Sequence, residues 1–257
     1  MKYVLKLIFG LLLLQTEAVV AQSKHFIISG VIEFEKSNNM FALMKKKLTK
    51  EFAGENKPYY EQYLRTEPQF LKLKSTIIFG NGVSLYTPIP PAKAIPWFYD
   101  QPIVSQPNTV FCDFDKNAVT IQKEYAEKTL LVKDTIRKIK WKLTDETQVV
   151  AGYPCRRANG LMLDSIYVVA FYTDDIHVSG GPESFNGLPG MILKLALPHD
   201  NVSWVATKVT EMPADPKKLV PPKKGTPVDY KSLYAELLKG LAQAGELGRY
   251  YLKGYTL

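Results

Sequence analysis

The sequence has few of the residue types that most metal and catalytic sites require. Only three histidines and two cysteines occur among its 257 residues, and no histidines stand at a spacing typical of metal ligands. It also has no Gly-x-Ser-x-Gly nucleophile motif, no His-Glu-x-x-His motif and no phosphate-binding glycine loop. We therefore expect a protein that is not an enzyme and that binds no cofactor.

Long apolar runs are also scarce, and the one that occurs lies at the N-terminus. Residues 7–14 are almost entirely apolar, follow two lysines and precede the small residues 19–21. This layout predicts a secretory signal peptide over residues 1–21, with an apolar core shorter than the roughly 20 residues of a membrane-spanning helix. The alternative is a retained membrane anchor. No cysteine follows the run, so we expect a soluble, exported protein without a lipid anchor, in the periplasm or fully secreted.

Acidic residues are fewer than basic ones, and the formal net charge is +8. A basic surface suits anionic lipid headgroups, lipopolysaccharide or an acidic partner, and we do not expect an exported protein to bind nucleic acid. The basic residues are dispersed apart from short runs such as 45–47, which is typical of a solvated face. With 46% apolar and 23% charged residues, the composition excludes wholesale disorder.

The two cysteines, Cys112 and Cys155, are candidates for a disulfide. Outside the cytoplasm an even number of cysteines favours pairing, and this bridge would stabilise the fold by about 4 kcal/mol. The alternative is two buried free thiols, which pack as small apolar side chains. We expect the disulfide.

Short runs rich in β-branched and aromatic residues recur along the chain. They lie at residues 26–34, 70–79, 83–86, 110–114, 118–124, 129–133, 139–143, 147–151, 165–173, 191–197 and 202–209. Because helical patterns do not separate most of these runs, antiparallel pairing is expected. The predicted fold class is mainly β (α+β), with residues 22–257 as one domain. Its core is a single twisted antiparallel sheet of about eight to ten strands, half-barrel-like, with an N-terminal and a C-terminal helix packed on it.

Two segments have an N-capping residue followed by apolar residues at helical spacing. Asn38 or Asn39 precedes the first, and Asp229 precedes the second, which is predicted over residues 229–247. These are the two helices expected to pack on the sheet.

Prolines are concentrated in two segments that cannot pair regularly in a sheet. Residues 87–107 hold six prolines and are interpreted as an ordered flap whose aromatic residues Trp97, Phe98 and Tyr99 contact a ligand. Residues 213–227 are interpreted as a connection that leads to the C-terminal helix.

Residues 180–195 read Gly-Gly-Pro-Glu-Ser-Phe-Asn-Gly-Leu-Pro-Gly-Met-Ile-Leu-Lys-Leu. The prolines fix φ and the glycines permit turns that other residues avoid, while the apolar residues that follow alternate as in a strand. We interpret the segment as a turn that sets the register of the next strand. The turn residues are Gly181, Pro182, Gly187, Leu188, Pro189 and Gly190.

Residues 187–192 resemble the hallmark of the GLPGLI family, exported proteins of bacteria with an outer membrane; Met191 stands where the family usually has leucine. The similarity extends upstream to residues 140–144, 152–158 and 171–176, although His177 replaces a common proline. The resemblance implies no reaction. It implies a location in the cell envelope and, more loosely, a setting beside energy-coupled outer-membrane receptors.

We therefore expect a non-enzymatic envelope protein that holds an apolar or amphipathic ligand between the sheet and the flap, or that binds an outer-membrane receptor. The alternative is a metal-binding protein or metal-dependent enzyme centred on Asp174, Asp175 and His177, close in sequence to Glu183. A purely structural role in the envelope is the third alternative.

Overall fold

In the part of the chain that the structure describes, twelve strands form one open, mixed sheet. The computed structural model describes residues 25–49 and 52–257, so the predicted signal peptide at 1–21 lies outside the described residues. The strands are β1 (Gly30–Asn39), β2 (Phe70–Gly80), β3 (Val83–Ile89), β4 (Thr109–Asp113), β5 (Ala118–Tyr125), β6 (Lys128–Thr135), β7 (Lys140–Val150), β8 (Tyr153–Met162), β9 (Ile166–Thr173), β10 (Met191–Leu197), β11 (Val202–Glu211) and β12 (Thr226–Val228). The predicted mainly β fold is confirmed, and the sheet is not closed into a barrel because β12 and β7 form its two ends.

The N-terminal strand β1 lies between the two halves of the sheet. It pairs antiparallel with β2 on one side and with β11 on the other. Consecutive strands from β2 to β6 continue the sheet in one direction, and β10 to β7 continue it in the other. Among the twelve strands the exception to antiparallel pairing is β12, which runs parallel to β6 over three residues. The chain therefore folds as two antiparallel meanders that meet at β1.

Several predicted elements differ in detail from the structure. The runs 139–143 and 147–151 form the single strand β7, with a register shift between Leu143 and Thr147. Strand β8 was not predicted, because its inward positions hold small residues that do not produce a strong apolar alternation. The proline-rich connection 213–227 also extends into a strand, β12.

The helices are α1 (Met40–Lys46), α2 (Ala53–Thr66), the single turn α3 (Pro102–Ser105), α4 (Tyr230–Leu241) and α5 (Gly245–Thr256). The Asn39 side chain accepts a hydrogen bond from the Ala42 amide at the start of α1, and the Asp229 side chain accepts one from the Ser232 amide at the start of α4. The single predicted helix over 229–247 is wrong, because a 3₁₀ turn and Gly245, with φ of 52°, separate α4 from α5. Within the described ranges no helix is both long and apolar enough to cross a membrane.

A buried carboxylate fastens the first and last helices to the same turn. Asp200 lies in the 3₁₀ turn after β10 and is almost completely buried. Its carboxylate lies 3.8 Å from Nζ of Lys46 in α1 and 2.5 Å from Nζ of Lys253 in α5. The turn thereby holds α1 and α5 together at one edge of the core.

The connection between β9 and β10, residues 174–190, contains the predicted turn residues. Residues 180–186 are buried, and the Trp141 indole donates a hydrogen bond to the Asn186 carbonyl at 2.9 Å. Gly187 has φ of 92°, which favours glycine. Gly190 packs so closely on the end of β9 that a Cβ atom would overlap the carbonyl oxygen of Thr173. We call residues 180–190 the motif loop.

Replacement of Gly190 with alanine is expected to lower the free energy of unfolding by about 2–3 kcal/mol, because the new methyl group overlaps backbone atoms. The matched control is Gly54→Ala in α2, where a Cβ atom would meet nothing within 4 Å. That change is expected to raise the free energy of unfolding by up to about 1 kcal/mol. Urea denaturation of both variants is the measurement, and equal effects would contradict the packing described for Gly190.

The two cysteines lie far apart in the sheet, and the predicted disulfide is wrong. Cys112 is in β4 and Cys155 is in β8, with six strands between them in the sheet order. Both are buried free thiols, and burial raises the pKa of each thiol to about 12. They pack as small apolar side chains, which was the alternative to the bridge.

Alkylation without a reducing agent tests this assignment. Because buried, protonated thiols are poor nucleophiles, the folded protein is expected to react negligibly with iodoacetamide, whereas the urea-unfolded protein takes up two adducts by mass spectrometry. An unfolded protein that takes up adducts only after reduction would contradict the free-thiol assignment.

Candidate functional site

Three charged side chains are buried together on the inner face of the sheet. Lys36 is 6% exposed, Lys123 is 1% exposed and Glu183 is 5% exposed. Lysine and glutamate are almost never fully buried unless they are paired, so this cluster stands apart from the apolar core around it. We call the three residues the buried charge cluster.

Strand alternation brings both lysines to the inner face. Lys36 follows Ile32 and Phe34 at the buried positions of β1, and Lys123 follows Val119 and Ile121 at those of β5. Because side chains alternate between the two faces of a strand, each lysine must point into the core with its apolar neighbours.

The motif loop supplies the carboxylate of the cluster. Glu183 has φ of 53°, a left-handed backbone conformation that is unusual for glutamate. Its Oε1 accepts a hydrogen bond from the Tyr86 hydroxyl at 3.2 Å, and its Oε2 accepts one from Nδ2 of Asn108 at 3.2 Å. Nζ of Lys36 lies 3.9 Å from Oε1. The loop thus presents one carboxylate to a tyrosine, an asparagine and a lysine.

Lys123 is the least satisfied member of the cluster. Its Nζ is fully buried and has no hydrogen-bond partner within residues 25–49 and 52–257. Burial lowers the pKa of Lys123 to about 7; the charge of Glu183 opposes this effect, whereas Arg137 and Lys36 add to it. The amine therefore gains or loses its proton near neutral pH.

Lys36 and Tyr86 are also perturbed by burial. Desolvation lowers the pKa of Lys36, although the carboxylates of Glu183 and Asp100 oppose the shift. The ammonium also lies 4.7 Å from the ring centroid of Trp204, its cross-strand neighbour on β11, in a cation–π contact. Desolvation and the nearby Glu183 raise the pKa of Tyr86 well above its ordinary value, so its phenol stays protonated and donates to the carboxylate.

A cavity of about 200 Å³ reaches this cluster between the strands β1–β3 and the proline-rich flap. Its polar lining comprises the buried end formed by Lys36, Ser75, Tyr86 and Glu183, together with Lys74, Ser105 and Gln106. Its apolar wall is formed by Leu73, Pro88, Ile89, Pro90, Pro91 and Val104. The cavity therefore joins an apolar wall to a buried, charged end.

The second half of the flap is held firmly in place. The Tyr250 hydroxyl in α5 donates a hydrogen bond to Oε1 of Gln101 at 2.9 Å, and Ile103 and Val104 in α3 are buried. A Cβ atom on Gly254 would meet the Ile103 amide nitrogen at 2.7 Å, so α5 packs directly on α3. The C-terminal helix thus fixes one wall of the cavity.

The three aromatic residues predicted to bind a ligand do not converge on one site. Trp97 is 79% exposed and lines a separate groove of about 610 Å³ with Tyr251 and Tyr255. Phe98 stacks on Tyr59 with ring centroids 4.9 Å apart. Tyr99 is buried and packs edge to face against Tyr63. The latter two aromatic residues hold the flap on α2.

The candidate metal ligands mainly connect two segments of backbone. The Asp175 carbonyl accepts a hydrogen bond from the Ile27 amide at 2.8 Å, and the His177 amide donates one to the Ile27 carbonyl at 2.9 Å. The His177 ring packs edge to face on Phe26. Across the described residues, no group of three or more His, Cys, Asp or Glu side chains has an arrangement that could hold a metal ion.

Comparison with known proteins adds a partial family match. A family model described as "Protein of unknown function (Porph_ging)" matches residues 160–194, which include Glu183 and the motif loop. Comparison with curated proteins finds no match.

Solved structures provide a likeness of fold. The chain is similar to PNGF-II in its C2 and P21 crystal forms, with TM-scores of 0.51 and 0.50 and sequence identities of 16% and 18%. The alignments cover 79% and 80% of this chain but 31% and 33% of those chains, so this chain spans about a third of their length. At these identities the likeness concerns the fold alone.

Strand alternation in the sequence contained a signal for the two lysines of the cluster, which the sequence predictions did not include. Lys36 and Lys123 stand at strand positions where the alternation requires an inward-facing side chain. A lysine in the apolar phase of a strand is a candidate buried charge. Glu183 was named in the sequence only as a neighbour of the candidate metal ligands. Its place in the cluster had no comparable signal, because it depends on the left-handed turn of the motif loop.

The buried amine of Lys123 predicts a pH-dependent stability. Lys123 has a pKa of about 7 in the folded protein and an ordinary value of 10.5, so the unfolded protein binds more protons between these values. The free energy of unfolding is therefore expected to rise with pH above 7, by at most about 1.4 kcal/mol per pH unit from this group.

Comparison of the unmodified protein with Lys123→Met isolates this contribution, since methionine has a similar length and no charge. Urea denaturation from pH 7 to pH 9.5 is expected to give a steeper rise for the unmodified protein than for the variant. Lys133→Met, on the exposed side of the neighbouring strand β6, is the control and should follow the unmodified protein. Parallel curves for all three proteins would contradict the assignment.

Proposed function

We propose that this protein is a binding protein of the bacterial envelope and that it holds a small amphipathic molecule in the cavity beneath the proline-rich flap. The observation that carries the proposal is the combination of Leu73, Ile89 and Val104 on one wall with Lys36 and Glu183 at one end. Ligand sites typically combine an apolar lining with a few convergent polar groups.

The volume of the cavity supports a small ligand. At about 200 Å³ it is somewhat larger than the engineered apolar cavity of about 150 Å³ that binds benzene. A chain of about six carbons or a single ring with one polar group is a suitable occupant. A larger molecule would have to displace part of the flap, whose first half carries the exposed Pro90 and Pro91.

The proposed location depends on the sequence. The N-terminal pattern of residues 1–21 predicts export, and the resemblance to the GLPGLI family supports the envelope. Membership of that family, and a role beside an outer-membrane receptor, belong to the same proposal because they depend on the same resemblance.

Binding is proposed in preference to catalysis. The amine of Lys123 does not line the cavity, so it is not placed to act as a nucleophile on a molecule bound there. Asp174, Asp175 and His177 do not form a group that could hold a metal ion. The polar groups that do line the cavity are suited to recognising one end of a ligand.

Titration with hexan-1-ol tests the proposal, because this molecule matches the cavity in size and carries no charge. Nuclear magnetic resonance (NMR) of the ¹⁵N-labelled protein is expected to reveal saturable shifts at amides of β1–β3 and the flap. Leu73→Trp should fill the cavity and weaken binding at least about tenfold, equivalent to about 1.4 kcal/mol.

The matched control is Leu71→Trp, two residues earlier on the same face of β2 and outside the cavity lining. This variant should retain the affinity of the unmodified protein. Absence of saturable binding to the unmodified protein, or equal loss in both variants, would count against a ligand site in this cavity.

A further inference from the structure

The buried charge cluster contains more positive than negative charge. Three groups act on Lys123: Lys36 from β1, Arg137 from the segment after β6, and Glu183 from the motif loop. Arg137 is engaged elsewhere, because its guanidinium stacks on Tyr230 at 3.6 Å and donates a hydrogen bond to the Thr256 carbonyl. Within the cluster, the Glu183 carboxylate therefore faces two lysines. The Asp100 carboxylate also acts on Lys36 but lies outside the cavity lining, and the exposed Lys74 adds a further positive charge to that lining.

Glu183 does not satisfy either lysine fully. Its two oxygens already accept hydrogen bonds from Tyr86 and Asn108. Lys36 Nζ is 3.9 Å away, beyond hydrogen-bond distance, and Lys123 Nζ has no hydrogen-bond partner in the described chain. Lys36 lines the cavity, so its N–H donors are available to a molecule that enters.

We propose that the ligand carries a carboxylate, which binds against Lys36 at the polar end of the cavity while a protonated Lys123 nearby balances the second negative charge. This inference rests on the proposed function, because it assigns the ligand's chemistry in the same cavity. With Glu183 and the ligand on one side and the two lysines on the other, the charges of the cluster are equal. A cationic ligand would instead add a third positive charge and is excluded by repulsion.

Proton uptake follows from this arrangement. Below pH 7 Lys123 is already protonated, whereas above pH 7 it must take up a proton when the carboxylate binds. Tyr86, the remaining titratable group against Glu183, stays protonated through this range. A simple carboxylic acid is fully ionised above pH 6, so the pH dependence of binding reports the protein and not the ligand.

Three ligands of matched chain length separate the possibilities: hexanoate, hexan-1-ol and hexylammonium. At pH 6 hexanoate is expected to bind at least about tenfold more tightly than hexan-1-ol, and hexylammonium is expected not to bind. The ratio of the affinity for hexanoate to the affinity for hexan-1-ol should fall about tenfold between pH 6 and pH 8.5. NMR titration measures all three affinities, and calorimetry in two buffers of different ionisation enthalpy should reveal uptake of about half a proton at pH 7.

Two variants, Lys123→Met and the control Lys133→Met, test the role of Lys123 in this preference. Lys123→Met should bind hexan-1-ol normally but lose the preference for hexanoate and its pH dependence, whereas Lys133→Met should keep both. Equal binding of hexanoate and hexan-1-ol, or an unchanged pH profile in Lys123→Met, overturns the inference and leaves the proposed binding function standing. Failure of all three ligands to bind overturns both. If Lys123→Met does not fold, the absence of proton uptake by the unmodified protein overturns the inference alone.

Discussion

The burial of Lys36, Lys123 and Glu183 against one face of the sheet constrains the rest of this structure. An ion removed from water costs several kcal/mol unless partners replace its hydration. Tyr86 and Asn108 do this for the Glu183 carboxylate, whereas Lys123 has no hydrogen-bond partner. The cluster is therefore incompletely satisfied by the protein itself, and the cavity ends at it. A ligand that completes the charge balance gives a physical reason for this arrangement.

The sheet topology explains how these residues meet. The central strand β1 contributes Lys36, whereas β5 contributes Lys123 from one half of the sheet. Glu183 arrives from the other half, in the connection between β9 and β10. The motif loop is thus more than a turn before a strand, because its left-handed conformation at Glu183 directs a carboxylate towards the opposite half. The motif loop, with its glycines and prolines, therefore contributes to the candidate site through the Glu183 side chain.

Local patterns predicted the fold more successfully than the site. Alternation and the caps at Asn39 and Asp229 identified most strands and the starts of two helices, because these features depend on neighbouring residues. The error on Cys112 and Cys155 has a different origin, since their separation depends on strand order. The sequence predictions did not include the site. An inward-facing lysine such as Lys123 cannot be distinguished from an exposed polar residue until it is known which face of its strand is buried.

The titration of Lys123 itself tests the central claim most directly. NMR of protein labelled at the lysine Cε and Nζ atoms can follow this side chain, with its signal assigned by its loss in Lys123→Met. The expected pKa of Lys123 is about 7, well below the ordinary lysine value of 10.5. A Lys123 signal that titrates at the ordinary lysine value would contradict the buried charge cluster and the function derived from it.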